Sequence, residues 1–464
     1  VHIIRVAVVL VVAAVAAACM STVSGSPVQG GSVVTKTDPG SPGVDSSFVK
    51  NSDGGEIDRL AATVVTDLLT YWGEAFPATF GKEWTELAGG FYSVDTADTE
   101  SPAPPCVRQS SDVEGNAFYC PTEDVIAWDR AALLPVLRDR FGEAAVLLVL
   151  AHEMGHAVQR RAGLTVAEQR RNPDKFPTIL IEAQADCYAG AFVRWVSDGK
   201  AKHLQSGRDR LDSALESLIT FRDPIGTEQT DRGAHGDAFD RVSAFQDGFE
   251  QGLTLCAQMS VDNRTFTLRG FLNAADAERG GNLPFDDLLR SMVDDLNTYF
   301  ATVVGERGQQ WTNPTLRPTD DSPKCTQGDQ GPIAFCPRGG ETVDISVATK
   351  GTLPELHIDI GDYATGTILA SRFGMAALAR LGKPLDGADA QRQVLCLAGS
   401  YTGTLISRET GFALSPGDLD EAIQVLLRYD YAGRDGAGQA IPTGFDRVSA
   451  FRTGTLQGAQ ACKL

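Results

Sequence analysis

The sequence predicts an α+β chain, mostly helical, in which one domain occurs twice in tandem. Three observations carry this prediction. A self-similar segment returns near the C-terminus, apolar residues follow helical spacing, and short β-prone runs stand beside cysteines. The repeat sets the architecture. Ala238-Phe-Asp-Arg-Val-Ser-Ala-Phe245, followed by Cys256, returns as Gly444-Phe-Asp-Arg-Val-Ser-Ala-Phe451, followed by Cys462. Other matches keep the same order: Thr70-Tyr71-Trp72 with Thr298-Tyr299-Phe300, Trp84-Thr85 with Trp311-Thr312, and Phe118-Tyr119-Cys120-Pro121 with Ala334-Phe335-Cys336-Pro337. They place homologous domains at 56–262 and 280–464, with a short junction between.

The elements follow in chain order. Arg5 precedes an unbroken Val, Leu and Ala run from Val6 to Ala18, which reads as a signal peptide over 1–18. Ala16-Ala17-Ala18-Cys19 resembles a bacterial lipobox, so Cys19 is the expected lipidation site and the chain an exported, membrane-anchored protein. The alternative is an ordinary cleaved signal and a secreted, soluble protein. Residues 19–55, rich in Ser, Gly and Pro, read as a flexible tether. Each domain then opens on a helix, Ile57 to Trp72 and Phe285 to Phe300. A Cys-loop-Cys element and β-prone runs at Phe118–Cys120 and Val125–Trp128 come next. An apolar helix spans Ala144 to Ala157, another Ile179 to Trp195 beyond Pro173 and Pro177, and a last amphipathic helix Phe239 to Leu255.

Composition narrows the function classes. The 464 residues carry 41 Lys and Arg against 60 Asp and Glu, a formal net charge of −19, which argues against nucleic acid as a partner. Nine cysteines suit an oxidising, exported setting better than the cytosol.

The chemistry concentrates at His152-Glu153-Met154-Gly155-His156. Residues i and i+4 share a helix face, so both imidazoles can bind one zinc ion, and Glu153 can reach a water on it. Apolar Leu147 to Ala151 carries this helix into a core, where a buried charged set needs a compensating ion. Downstream, Glu182 and Asp186 stand four apart on one helix face. Glu182 suits the third ligand, and Asp186 an acceptor for a ligand imidazole N–H.

With Phe118-Tyr-Cys-Pro121, Ala151-His-Glu-Met-Gly-His-Ala-Val-Gln159, Glu182-Ala-Gln-Ala-Asp-Cys-Tyr-Ala-Gly190 and His235-Gly236 before Arg241, the first domain resembles the neutral zinc metallopeptidase family of bacteria, among the Glu-liganded zincins. The resemblance covers the whole first copy in order. It implies a zincin-like fold, His152, His156 and Glu182 as zinc ligands, and Glu153 as catalytic base. It implies hydrolysis of peptide or protein substrates. Ala157, where relatives often carry His, is a departure outside the ligand set. By analogy with zincins, an edge strand around Val125–Trp128 is expected to pair with substrate. Zinc, together with His235 or Tyr188, is expected to stabilise the oxyanion. The other class of function is a binding or scaffolding lipoprotein with a structural zinc site; an intact Glu153 argues against it.

The second domain acts as an internal control. Aligned without gaps, 152–156 becomes Ser371-Arg372-Phe373-Gly374-Met375, Glu182 falls on Leu395, Asp186 on Gly399 and His235 on Ile441. Gly155, Tyr188 and Gly190 align with Gly374, Tyr401 and Gly403. One Zn²⁺ per chain is therefore expected, with a degenerate, metal-free second copy. The repeat favours disulfides Cys106–Cys120, Cys187–Cys256, Cys325–Cys336 and Cys396–Cys462.

Overall fold

The computed structural model describes residues 34–36, 44–207, 211–231, 233–336 and 344–464. The signal-like run, Cys19 and most of the expected tether lie outside the described residues. The first half runs β1 (Val34–Thr35), β2 (Val49–Lys50), α1 (Glu56–Phe80), β3 (Gly90–Val94), β4 (Ala117–Cys120), β5 (Val125–Asp129), α2 (Leu133–Phe141), α3 (Glu143–Ala162), α4 (Val166–Arg171), α5 (Thr178–Ser197), β6 (Leu204–Gln205), α6 (Leu211–Thr220), α7 (Ala238–Gln251) and α8 (Leu253–Gln258). The second runs α9 (Ala274–Glu278), α10 (Phe285–Gly305), β7 (Thr315–Thr319), β8 (Ile333–Phe335), β9 (Asp344–Ala348), α11 (Thr352–Asp359), α12 (Asp362–Arg380), α13 (Ala388–Leu405), α14 (Asp418–Arg428) and α15 (Gly444–Gln457). The chain is thus α+β and mostly helical. Among the described residues, no helix is long and apolar enough to cross a membrane.

The sheet of the first half has the order β2-β3-β5-β4, parallel except for the antiparallel β4–β5 pair. Two expectations need correction here. Val49 and Lys50, assigned to the tether, pair with Phe91 and Tyr92, so the folded domain starts before residue 56. Buried Val49 fills the core where Ser- and Gly-rich neighbours suggested only a linker. The run Val125–Trp128 is interior, hydrogen-bonded on both sides, and the edge strand beside it is β4. The expected last helix also breaks into α7 and α8 at Gly252, whose φ of 81° a side chain would resist.

Helix α3 is buried nearly all round from Ala144 to Ala151, as a helix through a core must be. Its crossing with α5 depends on Gly155, where an added Cβ would lie 2.9 Å from Ala185 Cα. Helix α5 is in turn clamped to α7. An added Cβ at Gly190 would meet Phe245 O at 2.0 Å, and one at Gly248 would meet Cys187 O at 1.7 Å. Gly248→Ala is expected to cost about 1–3 kcal/mol or more through overpacking, read as a lower denaturation midpoint with an unchanged slope. The Cys187–Cys256 disulfide closes the same corner, and the structure also joins Cys106–Cys120, Cys325–Cys336 and Cys396–Cys462.

The second half repeats this element order, and β7-β9-β8 has the parallel and antiparallel pairing of β3-β5-β4. The clamping glycines fix its register. Gly399 approaches Phe451 O, Gly454 approaches Cys396 O, and Gly374 approaches Val394 O. Gly190 therefore corresponds to Gly399 and Cys187 to Cys396, one helical turn earlier than the ungapped alignment around Glu182. Under this register Glu182 falls on Gln391, Asp186 on Leu395 and Tyr188 on Leu397, while Tyr401 takes the place of Phe192. Tyr71 packs on Phe192 as Tyr299 packs on Tyr401, in agreement.

The halves hold each other reciprocally. Asp212 of α6 accepts hydrogen bonds from the N–H groups of Gly444 and Phe445, capping α15 at 2.5 and 2.8 Å. Asp420 of α14 accepts from Ala238 N–H, capping α7 at 2.6 Å, and pairs with Arg222. Between the two caps, Phe249 and Phe445 meet edge to face, and Arg452 pairs with Asp247.

Candidate metal centre

Helix α3 presents His152 and His156 one turn apart, and α5 crosses it at Gly155, bringing Glu182 opposite both. The three tips converge: His152 Nε2 lies 3.1 Å from Glu182 Oε2 and 3.2 Å from His156 Nε2. His156 Nε2 lies 3.5 Å from Glu182 Oε2. Ligand atoms about 2.0–2.1 Å from a tetrahedral zinc ion stand about 3.3–3.4 Å from each other. The spacing and the two-nitrogen, one-oxygen donor set therefore fit zinc.

Both imidazoles are turned the right way by bonds from their far nitrogens. His152 Nδ1–H donates to Asp186 Oδ1 at 2.7 Å, and His156 Nδ1–H to Gln159 Oε1 at 3.0 Å. Each Nε2 lone pair is thereby left facing the centre. Gln159 is itself fixed, because its amide donates to Ile181 O at 2.7 Å and Gln184 Oε1 at 3.1 Å. Asp186 is fixed by Arg241, whose fork donates to both carboxylate oxygens at 2.9 and 3.0 Å.

The electrostatics fit a cation. Burial disfavours charge on His152, but the Asp186 charge and hydrogen bond, with Glu182, raise its pKa to about 10. Burial also opposes ionisation of Asp186, and Arg241 with His152 nonetheless hold it down at about 2. Glu182 is likewise held well below the ordinary carboxylate range, against its burial, by His156 and His152. Protons on Nε2 of the imidazoles offset the buried carboxylates, and a cation bound there would displace them and meet the freed lone pairs.

Glu153 is buried beside the three donors, and Tyr119 N–H of β4 donates to its Oε2 at 2.8 Å. Burial raises its pKa against the pull of both histidines. A cavity of about 410 Å³ opens here, lined by His152, Glu153, His156 and Glu182, by Phe118 and Tyr119 of β4, and by His235. His235 comes from the loop before α7. Its backbone N–H donates to Asp223 Oδ2 at 2.6 Å and its Nδ1–H to Asp223 Oδ1 at 3.1 Å. That hydrogen bond raises its pKa despite partial burial.

Tyr188, the other expected oxyanion partner, is not in the cavity. It packs edge-on against Trp72 and is 1% exposed, because position 188 faces the α1 side of α5. Three contributors had not been read from the sequence: Gln159, Asp223 and the Tyr119 N–H. Only Gln159 left a signal, three residues beyond His156 on one helix face. Asp186→Asn is expected to weaken zinc about 10–100-fold by loosening His152, measured by chelator competition on the folded chain.

Residues equivalent to the centre are differently occupied in the second half. Arg372, at the position of Glu153, is fully buried and donates to Gln330 Oε1 and to the carbonyls of Tyr431 and Ala432 at 3.0–3.1 Å. Ser371 and Met375, at the histidine positions, are also fully buried.

Two curated relatives are similar over part of the chain. The uncharacterized protein Rv2575 of Mycobacterium tuberculosis is 31% identical over 164 residues, which is 32% of this chain and 55% of that protein. The uncharacterized protein YpfJ of Escherichia coli K12 is 28% identical over 150 residues, 29% of this chain and 50% of that protein. The chain spans about half the length of the curated relatives it matches. No solved structure matches it. A family profile matches residues 2–259, more than half of the chain, and the chain therefore belongs to the family described as "putative neutral zinc metallopeptidase".

Proposed function

We propose that the first half hydrolyses peptide bonds, with His152, His156 and Glu182 holding zinc and Glu153 serving as general base. The observation that carries this reading is Glu153 itself: a carboxylate beside three convergent donors, facing the cavity and fixed by the Tyr119 N–H of an edge strand. A structural zinc site needs no such base.

Zinc, when bound, supplies Lewis acidity that polarises a carbonyl and acidifies a water. The chain supplies the rest. Glu153 accepts the proton of the attacking water and returns it to the departing amine, its carboxylate held in place by the Tyr119 N–H. Asp186 and Gln159 hold the two imidazoles in one tautomer. His235, whose pairing with Asp223 favours the doubly protonated ring, can donate its Nε2–H to the developing oxyanion. An extended peptide can run along the outer edge of β4, whose Phe118 and Tyr119 border the cavity, using the backbone groups other than the Tyr119 N–H that Glu153 holds.

The second half is read as a degenerate copy that keeps the packing and not the metal, since Arg372 fills the position of the base. The N-terminal pattern and four disulfides support export with a lipid anchor at Cys19. The test is cleavage of a fluorogenic peptide library by the zinc-loaded full chain, then with a zinc chelator, then with zinc restored. Cleavage that is lost and regained supports the proposal. A zinc-replete chain that cleaves no peptide overturns it.

A further inference from the structure

The second half contains another convergence of charged groups, and the three groups that meet there are all carboxylates. Asp362 opens α12, while Asp418 and Glu421 lie in the first turn of α14. All three are at least 95% buried, and each offers a carboxylate oxygen within 4.8 Å of the others. Asp276 of α9 borders them and is equally buried. Ser415 ties it in, donating its hydroxyl to Asp276 Oδ1 and its N–H to Asp418 Oδ2, both at 2.8 Å.

The bonding is one-sided. Asp362 Oδ2 accepts from Leu283 N–H at 2.7 Å, Glu421 Oε2 from Tyr363 N–H at 2.7 Å, and Asp418 Oδ2 from Ser415 N–H. The second oxygens of Asp362 and Asp418, both Oδ1, and Oδ2 of Asp276 are buried without any hydrogen-bond partner. Leaving such oxygens bare is costly. Among the described residues, no Lys or Arg pairs with Asp362, Asp418 or Glu421. Arg279 reaches only Asp276, at 3.8 Å, and Arg222 is committed to Asp420. Asp276, Asp362 and Asp418 are therefore each anchored by one oxygen, and among the described residues the single guanidinium at the rim, Arg279, does not match four buried carboxylates.

We propose that this cluster binds one divalent cation of the calcium class, held by Asp362, Asp418 and Glu421, with Asp276 beside them adding negative charge. An all-oxygen, carboxylate-rich set selects a hard ion, and calcium accepts such ligands without strict geometry, whereas zinc favours sites with nitrogen or sulfur. The ion would pin α12 and α14 to the junction helix α9. The site is separate from the histidine centre and independent of the proposed peptidase activity.

The test uses the full chain, freed of divalent ions and reloaded with one equivalent of zinc. Calcium chloride is then titrated at constant ionic strength, followed by calorimetry and thermal melting. One calcium ion per chain is expected, with a melting temperature raised by roughly 5 °C at saturating calcium. Asp362→Asn and Glu421→Gln should each weaken calcium binding at least tenfold while zinc content stays constant, and His152→Ala should leave the calcium response intact. The competing state is one in which the carboxylates share protons instead. No heat and no melting shift at about 5 mM calcium, above the affinity range of weak extracellular calcium sites, would establish that state and overturn the proposal. So would a calcium response that survives both carboxylate variants or disappears in His152→Ala.

Discussion

Glu153→Gln is expected to keep its zinc and lose hydrolysis by about 10²–10⁴-fold, the usual size of a general acid–base contribution. The substitution preserves shape, and its amide oxygen can still accept the Tyr119 N–H that now holds Oε2. What it cannot do is take a proton from water. The three donors are untouched, so metal content by mass spectrometry should equal that of the parent. KM should change little if substrate is held by β4 and the cavity walls. Near-normal turnover in this variant would remove Glu153 from the reaction.

His156→Ala is expected to abolish both stoichiometric zinc and activity. Two donors would remain, and Glu182 would lose one of the two positive partners that hold it ionised against its burial. The parent chain should carry one zinc, not two, since Arg372 occupies the other candidate position with its guanidinium on three acceptors. Zinc at two per chain, or zinc retained by His156→Ala, would refute this assignment.

Much of the centre was legible because its determinants are local. The i, i+4 spacing of His152 and His156 fixes a shared helix face whatever surrounds it. The same holds for Glu182 and Asp186, and the structure indeed places Asp186 on His152 Nδ1. Contacts between distant segments were not legible. Nothing in the residues near Glu153 announces the Tyr119 N–H, and nothing near His235 announces Asp223. Strand β3 escaped notice because its five residues pair only with segments far along the chain. The interior position of β5 was hidden for the same reason. The misplaced register of the second half has a different cause. Around Glu182 the two halves share small residues one turn apart, and only the backbone approach at Gly190 and Gly399 shows which of them coincide.

The reciprocal capping of α7 by Asp420 and of α15 by Asp212 has a consequence for how such a chain can evolve. A surface that grips its own kind through matching contacts is the interface of a twofold dimer. Two separate copies joined this way would depend on concentration, and one gene would dictate both metal centres. On the proposed duplication, the junction makes the partner part of the same molecule, at an effective concentration of order millimolar. Each copy then mutates independently. One can surrender its histidines and fill the space with Arg372, while its face continues to support the copy that keeps the chemistry.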